Sequence, residues 1–194
     1  GGAVTEALIC LGHVVLFLDA WVKESNQLGD TKFGQLDWVF HFWATTSIDE
    51  SKGDPAGTFS NILSSTLQAL SIADKYRAKF LYLSSYLYGI PRYLPIDEDH
   101  EIQVANPYMG SKYLGEQLCE QVCHFCGLPL IILRVFNIYG LVHKPGRLIS
   151  DLLCAFHERK PFVLNDPTPR RDYLYIKDFI TLMEKIIIDY RSSK

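Results

Sequence analysis

Tyr108 and Lys112 are the two residues of this chain whose types and spacing most directly suggest chemistry. They lie four positions apart in the segment Pro107-Tyr108-Met109-Gly110-Ser111-Lys112, so on a helix both side chains project from one face. An ammonium close to a phenol favours the phenolate, which is a usable general base near neutral pH. Ordinary amphipathic helices also carry such pairs, so the prediction depends on the residues around this one.

Two adjacent serines precede this pair in the sequence. Ser84-Ser85 directly follows Phe80-Leu81-Tyr82-Leu83, an apolar run of strand length. We therefore expect both serines at the carboxyl end of a buried strand, which is where open α/β sheets place their sites.

The elements that would position these residues alternate between strands and helices. Apolar runs predict buried parallel strands at 14–18, 38–42, 80–83 and 130–133. Helical periodicity predicts helices over 54–75, 108–125, 148–157 and 177–190, with Gly127 ending the second. This succession predicts the α/β class: a doubly wound, mostly parallel, Rossmann-like sheet, followed by a small C-terminal segment of different character.

Composition and charge favour a small molecule as the partner. The 194 residues carry a formal net charge of -3, which gives no electrostatic reason to expect nucleic acid or an anionic membrane. The apolar runs are far shorter than the ~20 residues of a membrane span, and the N-terminus lacks the basic opening of a secretory signal. The five cysteines are expected to be free thiols, and a cytoplasmic location follows. We expect no metal site, because Cys119, Cys123 and Cys126 have no fourth ligand nearby in the sequence.

Seven segments, in order along the chain, carry a resemblance to a known family. They are Gly1-Gly2-Ala3; Phe40-His41-Phe42-Trp43-Ala44; Asp54-Pro55 followed by Asn61; Leu83-Ser84-Ser85-Tyr86-Leu87-Tyr88-Gly89; Pro107-Tyr108 with Ser111-Lys112; Arg134 to Gly140; and Arg171-Asp172-Tyr173 with Asp178. Together they resemble the extended short-chain dehydrogenase/reductase family, whose members include the nucleotide-sugar epimerases and dehydratases. Any one segment is weak evidence, whereas seven in the right order and spacing are specific.

The resemblance implies a role for each matching residue. Tyr108 would take a proton from a sugar hydroxyl while hydride passes to NAD, Lys112 would hold the nicotinamide ribose, and Ser85 would hydrogen-bond the reacting oxygen. Counting back from Gly89 would select Ser84 for this last role. The implied cofactor-binding residues are Gly1, Gly2, Asp19, Phe42, Ala44, Asn61, Leu83, Tyr108 and Lys112, and the implied substrate-binding residues are Ser84, Asn137 and Arg171.

Two of these assignments also have a physical basis. Asp19, at the end of its predicted strand, could accept hydrogen bonds from ribose hydroxyls and would repel a 2'-phosphate, which favours NAD over NADP. Arg171 suits a diphosphate because its guanidinium can bind two oxygens at once. The resemblance also divides the chain into an NAD-binding Rossmann-like domain, residues 1–143, and a partial substrate-binding lobe, residues 144–194. It implies a homodimer formed through the helices at 56–77 and 107–126.

The chain departs from the family pattern at its start. The family has a strand before the glycine turn and further glycines where this chain has Val4 and Ala7, yet Val4 to Leu11 reads as the later part of the helix that follows such a turn. We expect that residues are missing between Ala3 and Val4, near Asp30-Thr31 and beyond both ends.

The function that the sequence favours is that of an NAD-dependent nucleotide-sugar epimerase, which oxidises a sugar carbon and returns the hydride to the opposite face. A dehydratase is less favoured, because the residues corresponding to the family's T-D-E sequence, Ser85-Tyr86-Leu87, offer no carboxylate. A reductase or dehydrogenase would use the same tyrosine and lysine. A noncatalytic NAD-binding or scaffold relative is the alternative of another class, supported by Val4 and Ala7.

Overall fold

The computed structural model describes residues 2–15, 34–43, 48–140, 146–164 and 166–192. Its helices are α1 (Gly2–Cys10), α2 (Ile48–Gly53), α3 (Pro55–Tyr76), α4 (Pro107–Cys126), α5 (Leu148–His157) and α6 (Ile176–Ser192). Its strands are β1 (Trp38–His41), β2 (Lys79–Ser85), β3 (Leu130–Val135), β4 (Asn137–Tyr139) and β5 (Tyr173–Tyr175). The described residues form two compact units, one of residues 30–135 and one of residues 1–29 with 136–194.

The unit of residues 30–135 is built on a parallel sheet in the order β1-β2-β3. Trp38 pairs with Lys79 and Phe80 with Leu130, so β2 has a hydrogen-bonded neighbour on both edges. Helix α3 lies between β1 and β2 in the chain, and α4 lies between β2 and β3. Parallel neighbours need such crossovers, because a tight turn can join only antiparallel strands.

The core of this unit lies between the sheet and helices α3 and α4. Its fully or almost fully buried apolar side chains come from α3, β2 and α4: Ile62, Leu70, Ala73, Phe80, Tyr82 and Cys119. Two glycines allow α4 to come close to its neighbours. A Cβ at Gly110 would lie 3.0 Å from Phe59 of α3, and one at Gly115 would lie 2.1 Å from the hydroxyl of Tyr82.

Both long helices of this unit have well-defined ends. The side chain of Asp54 accepts a hydrogen bond from the amide of Gly57 at the start of α3, and that of Asn106 accepts one from the amide of Met109 at the start of α4. Proline occupies the first turn of each helix, where its missing N–H costs no hydrogen bond. Helix α4 ends at Gly127, whose φ of 63° is the left-handed conformation that glycine adopts without strain.

The second unit pairs α1 with α6 and β4 with β5. The buried apolar side chains described on the two helices are Val4 and Leu8 on α1, and Phe179, Met183 and Ile187 on α6. Strands β4 and β5 are parallel, with Asn137 opposite Tyr173. Within the described ranges no helix combines the length and the apolar character needed to cross a bilayer.

Most of the predicted elements that fall within the described residues are confirmed. The α/β class, the strands at 38–42, 80–83 and 130–133, and all four helices are observed within a few residues of their expected bounds. The expected strand at 14–18 fails where it can be seen, because Val14 and Val15 lie outside any strand and Val14 is 90% exposed. None of the described strands pairs with them, so their backbone groups have no ladder to join. The remainder of that expected strand, residues 16–18, lies outside the described residues.

Candidate active site

The start of α4 holds Tyr108 in the first helical turn. Asn106 caps the helix, Pro107 follows, and the backbone carbonyl of Tyr108 accepts a hydrogen bond of 2.8 Å from the hydroxyl of Ser111. The Tyr108 side chain is half-buried, so part of it reaches solvent. A phenol in this position is anchored through its backbone while its ring keeps an accessible side.

Lys112, one turn further along α4, is buried and charged in an apolar setting. The residue is only 2% exposed, and its Nζ donates a hydrogen bond of 2.6 Å to the backbone carbonyl of Leu83. Burial lowers the pKa of Lys112 to about 8, because an ammonium loses its hydration there, while Cys119 and Glu116 act in the opposite direction. The lysine therefore ties helix α4 to the carboxyl end of strand β2.

The two serines occupy different environments at that strand end. Ser84 is 3% exposed and its hydroxyl has no hydrogen-bond partner among the described residues, whereas Ser85, the last residue of β2, is half-buried. Successive side chains of a strand point to opposite faces, so Ser84 shares a face with Tyr82. That is the face covered by α4, because the Tyr82 hydroxyl lies where a Cβ at Gly115 would be. The structure thus brings Ser84 to the helix that carries Tyr108 and Lys112.

A buried ion pair lies one turn beyond Lys112. Glu116 is fully buried, and both of its carboxylate oxygens accept hydrogen bonds from Arg134 of β3, at 2.7 to 3.1 Å. Arg134 also donates to the hydroxyl of Tyr88 at 3.2 Å, and the carboxylate raises the pKa of the guanidinium. The sequence analysis missed the role of this pair. The signal was available, because a charged residue within an apolar run such as Leu130–Val135 needs a buried partner.

The remaining expected site residues of this unit lie on other elements. Phe42 directly follows β1 and its ring stacks on Phe40, with 6.0 Å between the ring centroids. Asn61 is exposed on α3. Leu83 contributes its carbonyl to Lys112, as described above. Leu83 and Lys112 are therefore in contact, and the roles of all these residues in binding or catalysis stay predictions.

In the second unit, the pairing of β4 with β5 places Asn137 opposite Tyr173, two residues after Arg171. The side-chain amide of Asn137 donates to the carbonyl of Asp172 at 3.0 Å, next in the chain to Arg171. Both Asn137 and Arg171 are exposed, as substrate contacts in an open site would be. Gly2 is the first residue of helix α1, and no atom lies within 4 Å of the position a Cβ would take there. Gly1, Asp19 and Ala44 lie outside the described residues.

Metal chemistry finds no support in the described part of the chain. No group of three or more histidine, cysteine, aspartate or glutamate side chains there could hold a metal ion. All five cysteines are free thiols, as the sequence predicted. Burial raises the pKa of the Cys123 thiol to about 11 and that of Cys119 further still, so neither is a reactive thiolate at neutral pH.

Comparison with known proteins places this arrangement in a family. A parallel α/β sheet with crossover helices belongs to the doubly wound class of folds, which bind their ligands at the carboxyl ends of the strands. The sequence model of the NAD dependent epimerase/dehydratase family matches residues 4–194. The chain belongs to this family, which confirms the resemblance seen in the sequence.

Individual relatives agree with this assignment. The chain is 31% identical to the UDP-glucose 4-epimerase of Mycoplasma pneumoniae over 207 residues, covering 93% of this chain and 61% of that protein. It resembles the crystal structure of the UDP-glucuronic acid 4-epimerase of Bacillus cereus in complex with UDP-glucuronic acid and NAD, with a TM-score of 0.70 and 28% identity over 78% of this chain and 49% of the other. An NAD-dependent NDP-hexosamine 5,6-dehydratase involved in tunicamycin biosynthesis shares the fold, with a TM-score of 0.78 and 24% identity over 96% of this chain and 68% of the other. The chain spans about half to three-fifths of the length of the first two proteins.

Proposed function

We propose that this protein is an NAD-dependent nucleotide-sugar epimerase that acts by transient oxidation of a sugar hydroxyl. One observation supports this most strongly: the buried ammonium of Lys112 is bound to the carbonyl of Leu83 at the strand end, one helical turn from the half-buried Tyr108. Family membership and the epimerases among the relatives add to it.

In this proposal Tyr108 is the catalytic base. Its phenolate takes the proton of the sugar hydroxyl and later returns it, and the positive charge of Lys112 favours the phenolate. The hydroxyl of Ser85 or Ser84 hydrogen-bonds the same sugar oxygen. Because the side chain of Ser84 is buried without a partner on the α4 face, an incoming oxygen would relieve the cost of its unpaired hydroxyl, about 1–3 kcal/mol.

The described residues fit the nicotinamide end of NAD. A lysine carries three N–H donors, and the carbonyl of Leu83 needs only one of them, which leaves donors for the ribose hydroxyls. Tyr108, Leu83, Phe42 and Asn61 would contribute to the same site, together with Gly1, Gly2, Asp19 and Ala44. When bound, NAD would supply an acceptor for the hydride of the sugar carbon and return it to the opposite face.

The substrate in this proposal is a nucleoside diphosphate sugar, bound in part by Asn137 and Arg171. The guanidinium of Arg171 is exposed and suited to a diphosphate. We further propose that the domain of residues 1–143 binds NAD, that residues 144–194 belong to the substrate lobe, and that the enzyme works in the cytoplasm. Exposed apolar side chains on α3 and α4, Leu67 and Leu114, support a homodimer through these helices, which light scattering of the purified protein would test.

The test is an assay of the purified protein on a panel of UDP-, GDP- and dTDP-sugars, followed by chromatography of the products. We expect a 4-epimer to form from at least one UDP-sugar, and Tyr108→Phe to abolish turnover while NAD stays bound. Loss of water or net reduction of the sugar would identify a dehydratase or a reductase instead. A protein that binds no NAD and turns over no sugar would refute the proposal and favour a scaffold.

The two serines are distinguished by a matched pair of variants. Ser84→Ala and Ser85→Ala each remove one hydroxyl from the same strand end, so the larger fall in kcat identifies the serine that contacts the reacting oxygen. Equal and small effects of both variants would remove serine from the mechanism.

A further inference from the structure

The ammonium of Lys112 lies against the face of an aromatic ring. Its Nζ is 4.7 Å from the centroid of the Tyr82 ring, well within the distance at which a cation is attracted to such a face. Its other contact is the Leu83 carbonyl, 2.6 Å away. Because the residue is 2% exposed, these contacts replace most of the water that would surround an ammonium at the surface.

The carboxylate of Glu116, which also stabilises the ammonium of Lys112, is shared with a second cation. Glu116, one turn along α4, accepts three hydrogen bonds from Arg134, so its charge is largely balanced by the guanidinium. Its ion pair with Arg134 is on the side of β3, whereas the contacts of Lys112 are with β2. The ring of Tyr82 and the carbonyl of Leu83 are therefore favourable contacts of the ammonium that do not involve this ion pair.

Tyr82 is itself held firmly in place. The residue is fully buried in β2, and its ring stacks on His41 of β1 with the ring centroids 5.6 Å apart. Burial and the charge of Lys112 lower the pKa of His41 to about 3, so the imidazole is neutral and does not compete with the ammonium for the ring. The Tyr82 hydroxyl lies 3.5 Å from the backbone carbonyl of Lys112, in the space that Gly115 leaves by having no Cβ.

We infer that Tyr82 is a positioning residue for Lys112, whose ammonium its ring face holds in charged form at the end of β2. The consequence for catalysis rests on the function proposed above, since it is the charged lysine that would hold the cofactor ribose and favour the Tyr108 phenolate. The effect on Lys112 itself does not depend on any cofactor or sugar.

The test is an NMR titration of Lys112 in the protein without ligands. Lysine labelled with carbon-13 at Cε reports the protonation of each side chain, and the signal of Lys112 is assigned by its loss in Lys112→Met. The ionisable groups around Lys112 are His41 on β1, Tyr82 on β2, and Tyr108, Glu116 and Cys119 on α4. Repeating the titration in Tyr108→Phe removes the other phenol of this group.

Three point variants and a series of fluorinated rings distinguish the electrostatic effect of the Tyr82 ring from the effect of its packing. Tyr82→Phe keeps the ring and should leave the proton affinity of Lys112 within about 2-fold of the original, whereas Tyr82→Leu should lower it by about 3- to 30-fold. Phe80→Leu is the matched control, because Phe80 is an equally buried ring two residues earlier on the same strand. Replacing Tyr82 with phenylalanines of increasing fluorine content keeps the shape while weakening the ring face, so the affinity should fall stepwise even if Tyr82→Leu does not fold.

Two results would overturn the inference: equal proton affinities across the fluorinated series, or an equal fall in Tyr82→Leu and Phe80→Leu. Failure of the proposed function would look different. In that case the titration would respond as expected while the protein bound no NAD and converted no sugar. If both hold, the pH profile of kcat should shift in Tyr82→Leu in the same direction as the titration of Lys112.

Discussion

The buried pair of Glu116 and Arg134 should be the most sensitive polar contact of the unit that holds the candidate site. In Glu116→Gln the side chain keeps its shape but loses its charge, which leaves the guanidinium without a counter-ion. Removing one partner of a buried pair costs about 3–5 kcal/mol. The Arg134 side chain is 21% exposed and so keeps some contact with water, which lowers our expectation to about 2–4 kcal/mol.

Urea denaturation followed by circular dichroism measures the fall in the free energy of unfolding. Two control variants show whether that fall comes from the buried charge. Asp74→Asn breaks an exposed pair with Arg77 and should cost less than about 1 kcal/mol. Glu116→Leu combined with Arg134→Met replaces both charges with apolar side chains and should cost less than either single change. The reasoning is refuted if Glu116→Gln costs no more than Asp74→Asn, or if the double variant costs the sum of its two single changes.

Three further predictions concern the packing, the helix capping and the acid sensitivity of the same unit. Gly115→Ala places a methyl 2.1 Å from the Tyr82 hydroxyl and should destabilise the protein by about 1–3 kcal/mol in urea, with part of the loss recovered when Tyr82→Phe is added; no recovery would show that the hydroxyl is not the obstacle. Asn106→Ala removes the cap of α4 and should cost about 1 kcal/mol, whereas Asn106→Asp, which keeps an acceptor oxygen, should cost less. The pKa of His41 is about 3 in the folded protein and 6.5 in the unfolded chain, so the unfolded chain binds the proton more readily. The contribution of neutral His41 to the free energy of unfolding is therefore complete above pH 6.5. It is lost as the pH falls towards 3, by up to about 1.4 kcal/mol per pH unit. Urea midpoints at several pH values should therefore fall less steeply on acidification in His41→Gln, and identical slopes would contradict the assignment.

Local patterns were sufficient to predict the elements that carry the candidate site. The apolar run before Ser84-Ser85 became β2, and the segment from Pro107 to Cys126 became α4, which ends before the expected Gly127. These signals are local, because strand length, helical periodicity and cap chemistry depend on neighbouring residues. The same holds for the position of Tyr108 and Lys112 on one helix.

The contacts that define the environment of Lys112 could not be predicted in the same way. The approach of Arg134 to Glu116 joins β3 to α4, and the ring of Tyr82 lies under Lys112 only because Gly115 lets α4 come close. Such contacts depend on how elements pack rather than on any one segment. The short pairing of β4 with β5 was missed for a related reason, since three-residue strands carry too little pattern to be recognised.

The parallel order of β1, β2 and β3 bears on how the molecule is made. Trp38 pairs with Lys79 and Phe80 with Leu130, and each partner is synthesised only after a whole crossover. The backbone groups at the edge of each new strand therefore have no strand partner during that time. During translation the segment Phe80–Leu83, uncharged and rich in strand-forming residues, would emerge from the ribosome long before β3 exists to cover it. The strand that ends at the two serines therefore leaves the ribosome with one edge open, where a chaperone could bind.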